Sequence, residues 1–203
     1  MSKKPVIVFE GVECSGKSHH IYNVARFLKR KKIDFIKIRE PGGNINSEKI
    51  RNLILNSKLN FSKVTDLLLY LAARNENIEK LKKYHHKKII LIDRFIDSRI
   101  AYQHYCFGVD IKLINFINNY ILRDFKIDYT FLNIVDKKNL KKRMKIRKSK
   151  NRYDKFNENF YQKVQNGYLK IAKKNLKKYK IINSNLNIKE NQKKIIQIIE
   201  KLL

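Results

Sequence analysis

The chain is 203 residues long and carries 47 lysines and arginines against 18 acidic residues, a formal net charge of +29. That length holds one well-buried α/β domain and is short for two, and no apolar run approaches the roughly 20 residues of a bilayer span. Clustered lysines release counterions from nucleic acid, but here they line nearly every polar helix face beside abundant Asn and Ile, without a compact basic tail. The excess reads as an AT-rich coding bias rather than a nucleic-acid footprint. Lys3 and Lys4 precede an apolar run that stops at acidic Glu10, so no signal peptide is expected. Cys14 and Cys106 have neither disulfide nor metal-ligand spacing, which suits a reducing, cytoplasmic protein.

In chain order, Val6–Phe9 reads as a buried strand and Ser18–Lys31 as an amphipathic helix with Ile21, Val24, Ala25 and Leu28 on one face. Ile33–Ile38 is a second strand, ended by the breaker Pro41-Gly42-Gly43. Helices follow at Ser47–Leu55 and Val64–Lys83, then a continuous apolar strand at Lys88–Ile92. Helical patterns occupy Asp97–Tyr105 and Ile111–Leu122, a fourth strand Tyr129–Val135, and a basic helix Asn139–Arg147. Helices at Phe160–Leu176 and Lys189–Leu202 flank a last short strand, Tyr179–Ile182. Alternation of strands and helices predicts a parallel sheet of about five strands covered on both faces.

Between the first strand and helix lies Gly11-Val12-Glu13-Cys14-Ser15-Gly16-Lys17-Ser18, a match to G-x-x-x-x-G-K-[ST]. Such a loop turns backbone N–H groups inward around a phosphate. Its lysine neutralises the outer phosphates and its last hydroxyl can ligate Mg²⁺. Arg39-Glu40-Pro41-Gly42-Gly43 and Asp93-Arg94 also fall at strand C-termini, the edge where such sheets bind ligands. An acid ending an apolar strand, as Asp93 does, is the usual partner of nucleotide-bound Mg²⁺ in phosphate-loop enzymes. Glu13 is unusual in a loop built for anions and reads as an acceptor for a sugar hydroxyl or a metal-shell water. Arg39, Arg74 and Arg94 are candidates for two-pronged contact with a second phosphate. The run Lys141, Lys142, Arg143, Lys145, Arg147, Lys148, Lys150 and Arg152 is a solvated helix face or a flap that brings arginine to a transferring phosphoryl group.

Together these residues resemble the bacterial-type thymidylate kinases, P-loop nucleoside monophosphate kinases, from about Val6 to at least Ala172. The matching motifs are Phe9-Glu10-Gly11-Val12-Glu13 with the phosphate loop, Arg39-Glu40-Pro41-Gly42-Gly43, Tyr70-Leu71-Ala72-Ala73-Arg74, Asp93-Arg94-Phe95, Ser98 with Ala101-Tyr102-Gln103, and Asn151-Arg152-Tyr153. The resemblance implies a three-layer α/β fold in one domain spanning 1–203, with a mobile basic lid at about 139–156. It implies transfer of the γ-phosphoryl of MgATP to dTMP, giving dTDP for dTTP synthesis, in a cytoplasmic homodimer.

The resemblance also assigns roles. Gly11 through Ser18 would bind ATP, with Ser18 and Asp93 at Mg²⁺. Glu13, Lys17, Arg94, Arg147 and Arg152 would be catalytic. Glu13, Arg39, Tyr70, Arg74, Arg94, Ser98, Arg99, Tyr102 and Gln103 would surround dTMP, Tyr70 stacking on thymine. Arg99 stands where the family usually has a small hydroxyl or amide residue that reads the thymine edge. That departure motivates a rival, a kinase for another deoxynucleotide. From a different class, the net charge motivates a nucleotide-regulated nucleic-acid-binding protein. Asn151 and Asp154 replace the commoner Asp and Glu of the lid motif, Ile127 a proline, and His19-His20 follow Ser18 where Thr or Ser is usual; the two histidines read as packing and solvent residues.

Overall fold

A computed structural model describes residues 4–56, 58–147 and 151–203. Lys148 and Lys150 of the basic run lie outside the described residues, as does the side chain of Asp154. Five parallel strands form one sheet: β1 (Val6–Gly11), β2 (Phe35–Arg39), β3 (Ile89–Asp93), β4 (Tyr129–Ile134) and β5 (Tyr179–Asn183), in the order β2-β3-β1-β4-β5. The helices are α1 (Lys17–Arg30), α2 (Ile45–Leu55), α3 (Lys63–Lys82), α4 (Ile96–Arg99), α5 (Ile111–Leu122), α6 (Lys137–Ile146), α7 (Glu158–Lys173) and α8 (Ile188–Leu202).

Alternate residues of a strand point to opposite faces, and both faces of this sheet are covered. Ile7, Phe9, Ile89, Leu91 and Phe131 pack with Ile21, Val24 and Leu28 of α1 and with Ile195 and Ile199 of α8. Val6, Val8, Ile90 and Ile92 pack on the other side with Leu67, Leu71 and Ile78 of α3 and with Ile114 of α5. Burial on both faces is why these strands read as unbroken apolar runs. The abundant asparagines cap helices: Asn44, Asn157 and Asn187 accept first-turn N–H groups of α2, α7 and α8.

Register brings the loop-bearing ends level. Asp93 pairs with both Phe9 and Arg39, and Gly11 with Asn133, so the three polar clusters leave the sheet side by side. β2 starts at Phe35, two residues after the predicted Ile33, because the Ile33 N–H donates to the Leu28 carbonyl at 3.0 Å and closes α1. The helix predicted over Asp97–Tyr105 begins as α4 and continues as a π-helix, Ile100–Cys106. Its wider turn buries Ala101, Tyr102 and Gln103 in succession. The basic helix starts at Lys137, because the Asp136 carboxylate accepts the Asn139 N–H at 2.7 Å and caps it.

Candidate active site

The phosphate loop bends where β1 ends. Gly11 has φ +139°, and a side chain there would strike the Asn133 carbonyl oxygen. Gly16, at φ +92°, starts α1, and no side chain caps that helix, so its first N–H groups present a positive end to the loop. Lys17 is buried, its Nζ donating to the carbonyls of Gly11 at 2.9 Å and Val12 at 2.8 Å. Burial and the nearby Arg94 charge push its ammonium down to about 8, against the pull of Asp93 and Glu13.

Beside the loop, Arg94 turns at φ +66° just past β3, its N–H held by the Phe9 carbonyl at 2.9 Å. Its Nη2 donates to Glu13 at 2.9 Å and its Nη1 to the Tyr168 hydroxyl at 3.2 Å. Tyr102 also donates to Glu13. Burial opposes ionisation of Glu13, but Arg94, Lys17 and the Tyr102 hydroxyl outweigh it and hold the carboxyl below its ordinary value. Glu10, fully buried one residue before Gly11, accepts the Phe95 N–H at 2.7 Å, the Ser98 N–H at 3.2 Å and the Ser98 hydroxyl at 2.6 Å.

A cavity of about 330 Å³ is lined by Glu13, Lys17, Ser18, Arg39, Arg51, Tyr70, Arg94, Arg99 and Tyr102. Arg39 is half-exposed and pairs with Glu48 at 3.1 Å. Arg51 donates to the Pro41 carbonyl at 2.7 Å. The Tyr70 hydroxyl donates to that of Tyr153 at 2.9 Å.

Three predicted contacts lie behind this wall. Arg74 is fully buried, donating to Glu40 at 2.7 and 2.8 Å and to Asn118 at 2.5 Å. Ser98 is spent on Glu10 and on the Tyr168 hydroxyl at 2.7 Å. Gln103 donates to Asp66 at 3.3 Å.

The basic segment divides. Arg147 and Asn151 line the cavity. Arg143 donates to the carbonyls of Cys14 at 3.1 Å and Ser184 at 2.7 Å, tying α6 to the phosphate loop. Arg152 faces away: it pairs with Asp66, lies 5.1 Å from the Tyr153 ring centre, and lines a separate cavity of about 630 Å³.

For a divalent cation the fit is favourable. The Ser18 hydroxyl stands 3.5 Å from Asp93 Oδ2, and Asp93 Oδ1 is buried with no hydrogen-bond partner among the described residues. A hydroxyl beside a carboxylate with an unspent oxygen is a hard-oxygen donor set suited to Mg²⁺.

Arg51 carries no motif in the sequence, while Glu40 and Arg143 enter only within the Arg39–Gly43 motif and the basic run. Arg51 and Arg143 carried one usable signal. In a chain whose default cation is lysine, arginine marks places where a planar fork is needed. Arg39, Arg51, Arg74, Arg94, Arg99, Arg143 and Arg147 all gather here.

Comparison with known proteins bears on this geometry. The family model described as thymidylate kinase matches residues 9–195. A thymidylate kinase of Mycoplasma capricolum subsp. capricolum is 39% identical over 202 residues, covering 97% of this chain and 95% of that protein. One from Thermosipho africanus is 37% identical over 169 residues, 82% of this chain and 84% of the relative. The crystal structure of thymidylate kinase from Ehrlichia chaffeensis superposes with a TM-score of 0.79 at 30% identity, covering 98% of this chain and all of that one.

Proposed function

The chain belongs to the thymidylate kinase family, and from that premise we propose how its own residues move a phosphoryl group from ATP to dTMP. The observation that carries the reading is one cavity whose lining brings Lys17 and Ser18 of the phosphate loop together with Arg39, Arg51 and the Glu13–Arg94 pair.

An oxygen of the dTMP phosphate attacks the γ-phosphorus, the bond to the β,γ-bridging oxygen breaks, and ADP and dTDP result. No covalent enzyme intermediate is required, so the protein's work is alignment and charge neutralisation. Lys17 and the loop N–H groups hold the donor phosphates. Arg39 and Arg51 hold the acceptor phosphate, and Arg94 spans both, kept in place by Glu13 and Tyr168. Glu13 also faces the acceptor sugar. Ser18 and Asp93 would hold Mg²⁺, which would supply positive charge to neutralise the outer phosphates.

Arg147 and Arg152 belong to the proposed lid, 139–156. Arg147 lines the cavity, whereas Arg152 reaches it only by leaving Asp66. Lid closure then excludes water and suppresses ATP hydrolysis. The whole chain acts as one domain.

A homodimer is supported by an apolar stripe left exposed on α3, Val64, Leu68 and Ala72, beside Phe116 and Tyr120 of α5. Light scattering should give twice the chain mass, reduced to one chain mass by Leu68→Glu. Among the described residues no helix is long and apolar enough to cross a membrane.

Coupled ADP release with dTMP, dUMP, dCMP and dGMP tests the function. The expected order has dTMP first. Equal or better use of dCMP or dGMP would overturn the thymidylate assignment.

A further inference from the structure

Besides the substrate cavity of about 330 Å³, the molecule holds a larger one of about 630 Å³, a size that takes small organic ligands. Its walls come from the connection between α2 and α3, the first turn of α3, the end of the π-helix and the segment after α6. Lysine is common everywhere on this chain, so charge alone marks nothing here. The aromatic lining does. Phe61, Phe107 and Phe156, remote from one another in sequence and each only half-buried, line this one space. The rings of Phe107 and Phe156 have centres 5.9 Å apart. Large apolar rings gathered half in water gain from a flat apolar partner that covers them. Around them stand Lys58, Lys63, Lys155 and Arg152, with Asp66 the one carboxylate among the described lining residues. Asp66 is already engaged, accepting from Arg152 and, at 3.3 Å, from Gln103. The cavity therefore complements a flat ring that carries a negative group.

One wall is shared with the substrate cavity. Tyr153 lines both, and its hydroxyl accepts from Tyr70 at 2.9 Å and Arg152 at 3.2 Å and donates to Asp66 at 3.3 Å.

We propose that this cavity is a second ligand site, taking a flat aromatic acid, and that its occupant slows turnover by keeping Arg152 on Asp66. The phenylalanines take the apolar skeleton, and the lysines and Arg152 take the acid. A ligand anion beside Arg152 adds to the pairing with Asp66 and holds the guanidinium on this side of Tyr153, out of the substrate cavity. The site stands on its own geometry. Its effect on turnover rests on the kinase reading and the lid described above.

The probe is 1-anilinonaphthalene-8-sulfonate, whose fluorescence rises in apolar surroundings. Titration of the wild type should show one site per chain. Phe61→Ala should weaken it about tenfold, and Lys63→Glu several-fold, more at low salt than at high. Both residues lie outside the substrate cavity and outside the buried core, so both variants should fold and keep kcat when no probe is present. Saturating probe should lower wild-type kcat at least about tenfold, since an arginine at the transferring phosphoryl is worth more than that. Excess dTMP should not restore the rate, and both variants should need more probe for the same loss. Probe binding and inhibition untouched by either variant would place the probe elsewhere and overturn the site. The uncharged parent, 1-anilinonaphthalene, should bind at least about tenfold more weakly; equal binding would overturn the acid. Binding here with kcat unchanged would overturn the hold on Arg152. A wild type that binds the probe here but transfers no phosphoryl group sinks the kinase reading and leaves the site standing.

Discussion

The two parts of the cavity lining are built differently. The part proposed to hold the donor is one contiguous stretch, Gly11 to Ser18, whose shape comes from backbone. Two glycines turn at positive φ, a helix start is left uncapped by side chains, and the lysine folds onto its own loop carbonyls. The acceptor end is collected from β2, α2, α3, α4 and the turn after β3, and its cations are already paired: Arg39 with Glu48, Arg74 with Glu40, Arg94 with Glu13. A contiguous loop is specified by spacing. A collected site is specified by which carboxylate each arginine meets. Mutations should therefore hurt chemistry at the donor end, and stability as well as chemistry at the acceptor end.

The largest expected effect is at Lys17. Lys17→Met should lower kcat about 10³-fold without lowering the melting temperature, since it removes a buried charge. A loss of stability on the same scale as the loss of rate would erase the contrast. Next, Arg74→Met should cost about 3 kcal/mol in urea unfolding, because it leaves Glu40 buried and unpaired. Adding Glu40→Gln should recover part of that loss. If Arg74→Met instead keeps its stability and loses only kcat, Arg74 touches substrate directly.

On the proposed reading Arg94 serves both nucleotides, which sharpens the comparison. Arg94→Lys should lower kcat about 10²-fold, because an ammonium cannot reach Glu13 and the Tyr168 hydroxyl as a fork does. A change confined to KM for one nucleotide would assign it to that end alone.

The smallest effect concerns Asp97, under the acceptor floor. Burial and the Glu10 charge push its carboxyl up to about 7, although the Tyr179 hydroxyl and Arg74 favour the ionised form. From about pH 4 to 7 the unfolded chain releases a proton that the folded chain keeps, so stability falls as pH rises across that window and levels off above it. Asp97→Asn should flatten this slope. An unchanged stability–pH curve would show that Asp97 ionises normally.

What the sequence disclosed follows the same division. The strands were legible because burial on both faces leaves unbroken apolar runs, as in Val6–Phe9. The phosphate loop was legible because its chemistry depends on consecutive residues. Arg74 stood out as a candidate phosphate-binding arginine, and Ser98 and Gln103 through resemblance, but nothing in their spacing told that they stand behind the cavity wall, tied to Glu40, Glu10 and Asp66. Arg51 was hidden inside an ordinary helical pattern. The π-helix at Ile100–Cys106 escaped because a 3.6-residue period describes its first turn adequately and its later ones badly. Side-chain pairing across elements is settled only when the elements meet.

Glu10 carries a mechanical consequence. Its carboxylate fastens β1, one residue before the phosphate loop, to the start of α4, which bears Ser98 and Arg99. The strand that leads into the phosphate loop and the helix that bears Ser98 and Arg99 are thus joined at one carboxylate, a joint that opposes sliding of one against the other. On the proposed reading, compression of the reacting phosphates comes from above, with the lid as hammer and the Glu10-braced floor as anvil.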